Sequence, residues 1–259
     1  MKMDALIGFS GFVGQTLLKQ REFDSLYRST NIDEIIGQLF GTVVCAAAPA
    51  QKWLANKEPE NDLKHIESLI EKLKTINCEK FILISTVDVF KTPVNVDENT
   101  PVETDGLHAY GLHRYYLEQF VSQHFPDALI VRLPGLVGPG LKKNIIYDFL
   151  NNNNLNQIES RGVFQFYPMI NLWYDIEIAL KNDIRLLHLT AAPVSVADVA
   201  KYGFGFDFEN HVQQQPGHYD MKSCYSHLYT DGKDYQYSYR ESLMSIRAYA
   251  QSEPGKKPE

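Results

Sequence analysis

The chain has 259 residues, 44% of them apolar and 22% charged, and carries a formal net charge of −7. That length suits one sizeable domain, or one domain with a small appended lobe, and the acidic balance argues against a nucleic-acid-binding surface as its main purpose. Three cysteines, Cys45, Cys78 and Cys224, have no metal-ligand spacing, so reduced thiols and no metal site are expected. Met1-Lys2-Met3-Asp4 leads directly into an apolar run rather than a secretory signal, and no apolar stretch approaches membrane-spanning length. A cytoplasmic protein with no nucleic-acid or membrane partner is expected.

In chain order, Ala5-Leu6-Ile7 reads as a short buried strand. It runs into Gly8-x-x-Gly11-x-x-Gly14 and then into the apolar-periodic start of a helix at Val13, Leu17 and Leu18. Strand, glycine turn and helix form the context of a dinucleotide cradle. The first glycine allows the sharp turn, the second lets backbone approach a pyrophosphate, and the third lets the helix lie close to the strand with its N–H groups aimed at phosphates. Three glycines in seven residues also make an ordinary turn. Residues 23–29 read as a weak second strand with Arg28 just past its end. An arginine there suits an adenosine 2′-phosphate, where an acid would suit a free hydroxyl. NADP is thereby favoured over NAD, with a solvated loop arginine as the plain alternative.

Residues 31–37 predict a short helix, and 42–49 a buried strand ending in the small residues Ala46, Ala47 and Ala48, which leave room for a ligand. Apolar positions Leu63, Ile66, Leu69, Ile70, Leu73 and Ile76 predict an amphipathic helix over 61–77. A buried strand over 80–86 ends in Ser85 and Thr86. A polar loop spans 90–106, and a helix spans 108–125 with Leu112, Tyr116, Phe120 and Val121 as its buried positions. Another strand follows at 128–134, and Pro and Gly break regular structure over 134–140. The βαβαβα alternation predicts a doubly wound, mostly parallel sheet. Beyond residue 141 come a helix fragment at 145–150, a helix at 173–180, a strand at 185–190, a capped helix start at 193–200, an irregular Tyr- and His-rich stretch at 213–239 and a last helix at 238–250. The expected domains are a dinucleotide-binding one of residues 1–141 plus about 185–192, a small substrate lobe of about 142–184 and 193–251, and a disordered tail at 252–259.

Thr86 ends a strand, and Tyr110 and Arg114 stand four apart on the next helix, so they share a face. An isolated tyrosine is a weak acid–base group at neutral pH; a cation one turn away favours the phenolate. A threonine hydroxyl can hold a substrate oxygen against that tyrosine.

These pieces resemble the extended short-chain dehydrogenase/reductase superfamily, the NAD(P)-dependent epimerase/dehydratase group. The resemblance rests on Gly8-x-x-Gly11-x-x-Gly14, Cys45-Ala46-Ala47, Ile84-Ser85-Thr86-Val87-Asp88-Val89-Phe90, Tyr110-x-x-x-Arg114, the 131–140 segment around Pro134-Gly135-Leu136, and the 193–200 segment, in the family's order over residues 5–200. It implies a Rossmann-type fold with a small C-terminal lobe, and hydride transfer with NADP or NAD on a sugar or nucleotide-sugar carbonyl or alcohol. It implies Thr86, Tyr110 and Arg114 as the catalytic set. Cofactor contacts would come from Gly8, Ser10, Gly11, Phe12, Val13, Gly14, Arg28, Ala46, Ala47, Ala48, Ser85, Tyr110, Arg114, Pro134 and Leu136. Asp88, Lys142, Lys143 and Asn144 are substrate candidates. A homodimer through helices 62–77 and 108–124 is implied as well. Three features depart from the family pattern. Arg114 stands where the family has lysine, which both lowers the tyrosine pKa and bonds the nicotinamide ribose; an ion pair with Glu118 is its plain alternative. Val87-Asp88 replaces the Asp-Glu of the sugar-nucleotide dehydratases, which leaves reductases and epimerases. The lobe is short for the family. The alternative function is a catalytically weak or inactive NADP-binding sensor or scaffold.

Overall fold

Apolar runs bounded by turn residues form the six strands of one sheet in the computed structural model, which describes residues 2–255. They are β1 (Met3–Ile7), β2 (Ser25–Tyr27), β3 (Leu39–Cys45), β4 (Asn77–Thr86), β5 (Leu129–Leu133) and β6 (Leu186–His188), in the order β6-β5-β4-β3-β1-β2. The pairs β1–β2, β1–β3 and β3–β4 are parallel. Strand order therefore reverses beside β1. Open α/β sheets receive ligands at such a point, beyond the carboxyl ends of the strands. The helices of this unit are α1 (Phe12–Gln20), α2 (Lys52–Lys57), α3 (Pro59–Leu73), α4 (Ala109–His124) and α5 (Leu172–Lys181). Among the described residues no helix is long and apolar enough to cross a membrane.

Side-chain alternation sorts the sheet into two faces. Ala5, Ile7, Val43, Cys45, Phe81 and Leu83 share one buried cluster with Ile66, Ile70 and Leu73 of α3 and Leu117 and Val121 of α4. Cys45 is a core filler whose thiol is pushed up to about 11 by burial. Leu6, Val44 and Ile82 are equally buried on the alternate positions. On its other side α1 packs against α5, where the Arg21 guanidinium lies 4.2 Å from the Trp173 ring.

Helix α4 corrects the sequence pattern. Leu112 and Tyr116 are exposed, and the buried face instead carries Tyr110, His113, Arg114, Leu117, Glu118 and Val121. Apolar periodicity misses this face because its charged residues are neutralised by partners far along the chain. Glu118 does not pair with Arg114. Its carboxylate accepts from Arg132 at 2.6 Å and from the Ser85 hydroxyl at 2.5 Å. Helix α2 and strand Val94–Val96 are also absent from the sequence-based pattern.

The chain divides into two compact units. The sheet unit comprises residues up to Lys91, Pro101–Arg132 and Leu172–Leu187; the other comprises Thr92–Thr100, Leu133–Asn171 and residues from His188 on. Helix α5 thus belongs to the sheet unit, not to the expected lobe. The segment expected as a surface loop contributes Thr92–Thr100 to the second unit, where Val94–Val96 pairs in parallel with Asp220–Met221. Glu98 fixes it there by accepting from the backbone N–H groups of His188 and Cys224, each at 2.8 Å, and from the Ser223 hydroxyl. Buried Gln165 bonds Thr190, Ala191 and both backbone groups of Met221. Phe166 and Tyr167 are core residues of this unit. The last helix, Tyr239–Ser252, opens with a Ser238–Glu241 capping box. It takes in the first residue of the expected disordered tail; residues 256–259 lie outside the described residues.

Glu118→Gln removes the countercharge of buried Arg132, which is 3% exposed. The expected cost is about 3–5 kcal/mol, read as a lower urea midpoint.

Candidate active site

Three strand ends meet at the carboxyl edge of the sheet. After β1 the backbone turns at Gly8, with φ +89°. Its N–H donates to the Tyr27 carbonyl at 2.8 Å, and an added Cβ would stand 2.5 Å from the Ala46 carbonyl oxygen. A Cβ on Gly14 would collide with the Gly8 carbonyl. Both positions therefore exclude a side chain, and α1 starts hard against the turn. Gly11 is the N-cap of α1 and no side chain caps its first turn. The first-turn N–H groups have no intrahelical acceptor and carry the positive end of the helix dipole, which suits an anion. Ser10 and Gly11 are exposed there, and Phe12 and Val13 are half-buried. Exposed Arg28 lies beside the same loop, its guanidinium 5.8 Å from the Phe9 ring and its Nε donating to the Thr30 hydroxyl. Ala46, Ala47 and Ala48 follow β3, half-buried.

Thr86 ends β4 and caps the turn after it, accepting the Asp88 N–H at 3.2 Å. Tyr110 lies in the first turn of α4. That helix is capped by His108, whose Nδ1 accepts the Gly111 N–H at 3.0 Å, while the Tyr110 N–H donates to Asn56 Oδ1 at 3.0 Å. The Thr86 side chain acts on the Tyr110 phenol and favours its ionised form. Burial pushes the Tyr110 phenol above its ordinary value; Arg114 pulls it down, Asp88 pushes it up, and the Thr86 side chain and Lys52 pull it down. Burial prevails, so the arginine does not achieve the lowering expected of it.

The reason lies in where Arg114 is held. Its guanidinium lies over the Tyr110 ring face, 4.0 Å from the centroid, rather than at the hydroxyl. It donates to both Asp62 oxygens, at 2.5 and 2.9 Å, to the Pro49 carbonyl and to the Tyr110 carbonyl. Its Nε is buried without a partner. The bidentate carboxylate offsets the charge, and both terminal nitrogens of the planar fork are committed to scaffold groups. His113 Nδ1 meets the same Asp62 at 2.7 Å. Burial alone would push the Asp62 carboxyl up, but the Arg114 and His113 hydrogen bonds outweigh it and hold it below the usual range.

The remaining candidates separate. Ser85 is turned to Glu118. Asp88 pairs with Lys52 at 2.7 Å. Pro134 and Leu136 belong to the second unit, where Pro134 is buried and the Leu136 carbonyl accepts from Asn144 at 2.9 Å. Asn144 caps the helix Ile145–Asn151 through its side-chain oxygen, so its amide is used structurally. Lys142 and Lys143 are exposed. Sequence reasoning missed Lys52, Asn56 and Asp62. Asp62 had a signal, because it occupies the apolar stripe of α3 four residues before Ile66.

No protein-family model matches the chain, and no curated protein matches it either. Solved structures do. The Bordetella bronchiseptica enzyme WbmG in complex with NAD superposes with a TM-score of 0.75 at 12% identity, over 100% of this chain and 98% of that one. A dTDP-4-dehydrorhamnose reductase from Bacillus anthracis in complex with NADP gives 0.73 at 17%, over 98% and 99%. A UDP-galactose 4-epimerase gives 0.72 at 16%, over 96% and 97%. The chain has the Rossmann-type α/β fold of these structures, as the motifs anticipate. The superpositions span nearly the whole of both chains, so the second unit is not short beside these neighbours.

Asp62→Asn leaves Arg114 buried with a neutral partner and is expected to cost about 3 kcal/mol at neutral pH. A carboxyl held low in the fold stabilises above its unfolded pKa of about 3.9 and loses that contribution as pH falls through the folded value. The variant should therefore lose less stability than the parent below pH about 4, as measured by urea unfolding across acid pH.

Proposed function

We propose that this chain is an NAD(P)-dependent oxidoreductase or epimerase of the extended short-chain type, acting on a carbonyl or alcohol of a sugar or nucleotide sugar. The observation that carries this reading is Thr86 at a strand end acting on buried Tyr110 in the first turn of α4, at the same sheet edge as an uncapped, glycine-cleared helix start. That edge fits a dinucleotide: Gly8, Ser10, Gly11, Phe12, Val13 and Gly14 would hold the pyrophosphate, and Ala46, Ala47 and Ala48 would flank it. Arg28 would meet an adenosine 2′-phosphate, which favours NADP. A bound dinucleotide supplies or accepts the hydride.

Tyr110 holds the proton at its phenol oxygen and passes it to the substrate oxygen, or takes it back in the reverse direction. Thr86 orients that oxygen against the phenol. The raised phenol makes Tyr110 a resting acid at neutral pH, which suits carbonyl reduction. The neighbouring structures whose names state a reductase, or an epimerase of UDP-galactose, support the sugar-nucleotide class. A second reading, a dinucleotide-binding sensor or scaffold, draws on the commitment of Arg114 to Asp62, which leaves it unable to serve a ribose as a lysine would. A homodimer through α3 and α4 is supported by exposed Leu112 and Tyr116 on α4. Tyr116→Glu is then expected to yield monomers by light scattering.

Tyr110→Phe should lower turnover of a keto-sugar nucleotide by ~10²–10⁴ while NADPH affinity measured by calorimetry is retained. Unchanged turnover in that variant overturns the acid–base role of Tyr110, and a parent protein that binds NADPH but turns over no keto-sugar nucleotide sinks the enzymatic reading. Gly14→Ala should abolish NADPH binding. Reduction should hold constant through neutral pH and decline only in the alkaline range, because the acid form of a raised phenol persists there.

A further inference from the structure

Helix α2 carries a second cation to the site. Lys52 and Asn56 stand one turn apart on it and so share a face. Asn56 accepts the Tyr110 N–H at 3.0 Å, which sets this face against the start of α4. Lys52 Nζ lies 2.7 Å from Asp88 Oδ1. Asp88 in turn donates its N–H to the Thr86 hydroxyl, and its carbonyl lies directly against the α4 backbone at Gly111. Ammonium, carboxylate, threonine hydroxyl and tyrosine are thus tied together by α2, the turn after β4 and the first turn of α4.

The two cations near Tyr110 differ in freedom. The Arg114 side chain is 2% exposed and committed to Asp62. The Lys52 side chain is 38% exposed and paired with Asp88. An ammonium is a compact charge on a flexible stem with three rotatable donors, so it can change acceptors where a clamped guanidinium cannot. We propose that Lys52 is a positioning residue whose charge turns to the Tyr110 phenolate as it forms, with Asp88 as the acceptor it leaves to do so, while the clamped Arg114 anchors the ring and exerts a fixed pull on the phenol. The proposal rests on the acid–base reading of Tyr110. In reduction the Tyr110 O–H bond breaks and an O–H bond forms on the substrate oxygen, with the hydride supplied by the reduced dinucleotide. The electron pair stays on the phenolate, the Lys52 ammonium turns to it, and water returns the proton.

The charged and titratable groups facing Tyr110 are Lys52 from α2, Asp88 from the turn after β4, His108 and Arg114 from α4 itself, and Asp62 from α3 through Arg114. Lys52 and Asp88 act on the phenol in opposite senses, and burial followed by Lys52 pulls the His108 imidazole below its ordinary value. His108 therefore adds no competing positive charge at neutral pH.

The test reads position 110 alone, in the full chain without cofactor. 3,5-Difluorotyrosine placed at 110 brings the phenol into an accessible pH range, and 19F NMR follows its titration. Lys52→Met should raise the midpoint by ~0.5 unit or more, Asp88→Asn should lower it by a similar amount, and Lys52→Arg should leave it near the parent value. A Lys52→Met midpoint indistinguishable from the parent overturns the proposal. So does an Asp88→Asn midpoint that fails to fall. Thermal unfolding of each variant confirms that the fold is retained. Because the titration needs no turnover, the expected midpoints in a protein inactive on every keto-sugar nucleotide would sink the enzymatic reading while leaving the Lys52–Tyr110 link standing.

Discussion

The bidentate pair between Asp62 and Arg114 is the constraint on which the arrangement of the site depends. It joins α3 to α4 with both side chains at most 5% exposed, and the same guanidinium reaches the Pro49 carbonyl beyond β3. One side chain thereby fixes two helices and a strand exit. A buried pair of this kind adds little net stability against an apolar isostere, but breaking it strands a charge in the interior. It therefore enforces one arrangement of the interface more than it strengthens the fold. Tyr110, stacked on that guanidinium, is carried into its position as part of the same assembly. The Glu118–Arg132 pair one turn further along α4 repeats the device against β5 and the end of β4.

This construction separates holding the tyrosine from charging it. A guanidinium clamped by a carboxylate and two carbonyls positions a ring well and exerts a fixed pull on its hydroxyl that burial outweighs. The Lys52–Asp88 pair adds opposing charges at the same phenol, and its ammonium, unlike the guanidinium, is partly exposed. The start of α1 makes a comparable division between clearing space and presenting polar groups. Gly8 and Gly14 are cleared of side chains by neighbouring backbone, and the uncapped amides they leave at the start of α1 suit an anion.

Much of the sheet unit was legible in the chain. The glycine turn, the apolar strands and the stripe of α3 are local patterns, and a local pattern survives into the fold whenever burial follows hydrophobicity. It failed on α4. There Leu112 and Tyr116 face out while His113, Arg114 and Glu118 face in, because paired charges can take interior positions that a hydrophobic count assigns to apolar residues. Helix α2 is six residues long, too short for a period to declare itself. The segment around Glu98 reads as loop because its order comes from acceptor groups that gather N–H donors some 90 and 126 residues away.

The sequence by itself determined the order of strands and helices, the glycine cradle after the first strand, and the placement of Thr86 and Tyr110 at a strand end and a helix start. Each of these follows from residues within a few positions of one another. Tertiary structure alone decided which charge faces which. Asp62 and Arg114 lie 52 residues apart and Lys52 and Asp88 36 apart, and no periodicity links such partners. An ionisable group takes its character from desolvation and from the nearest opposite charge, and both are set only when distant segments pack.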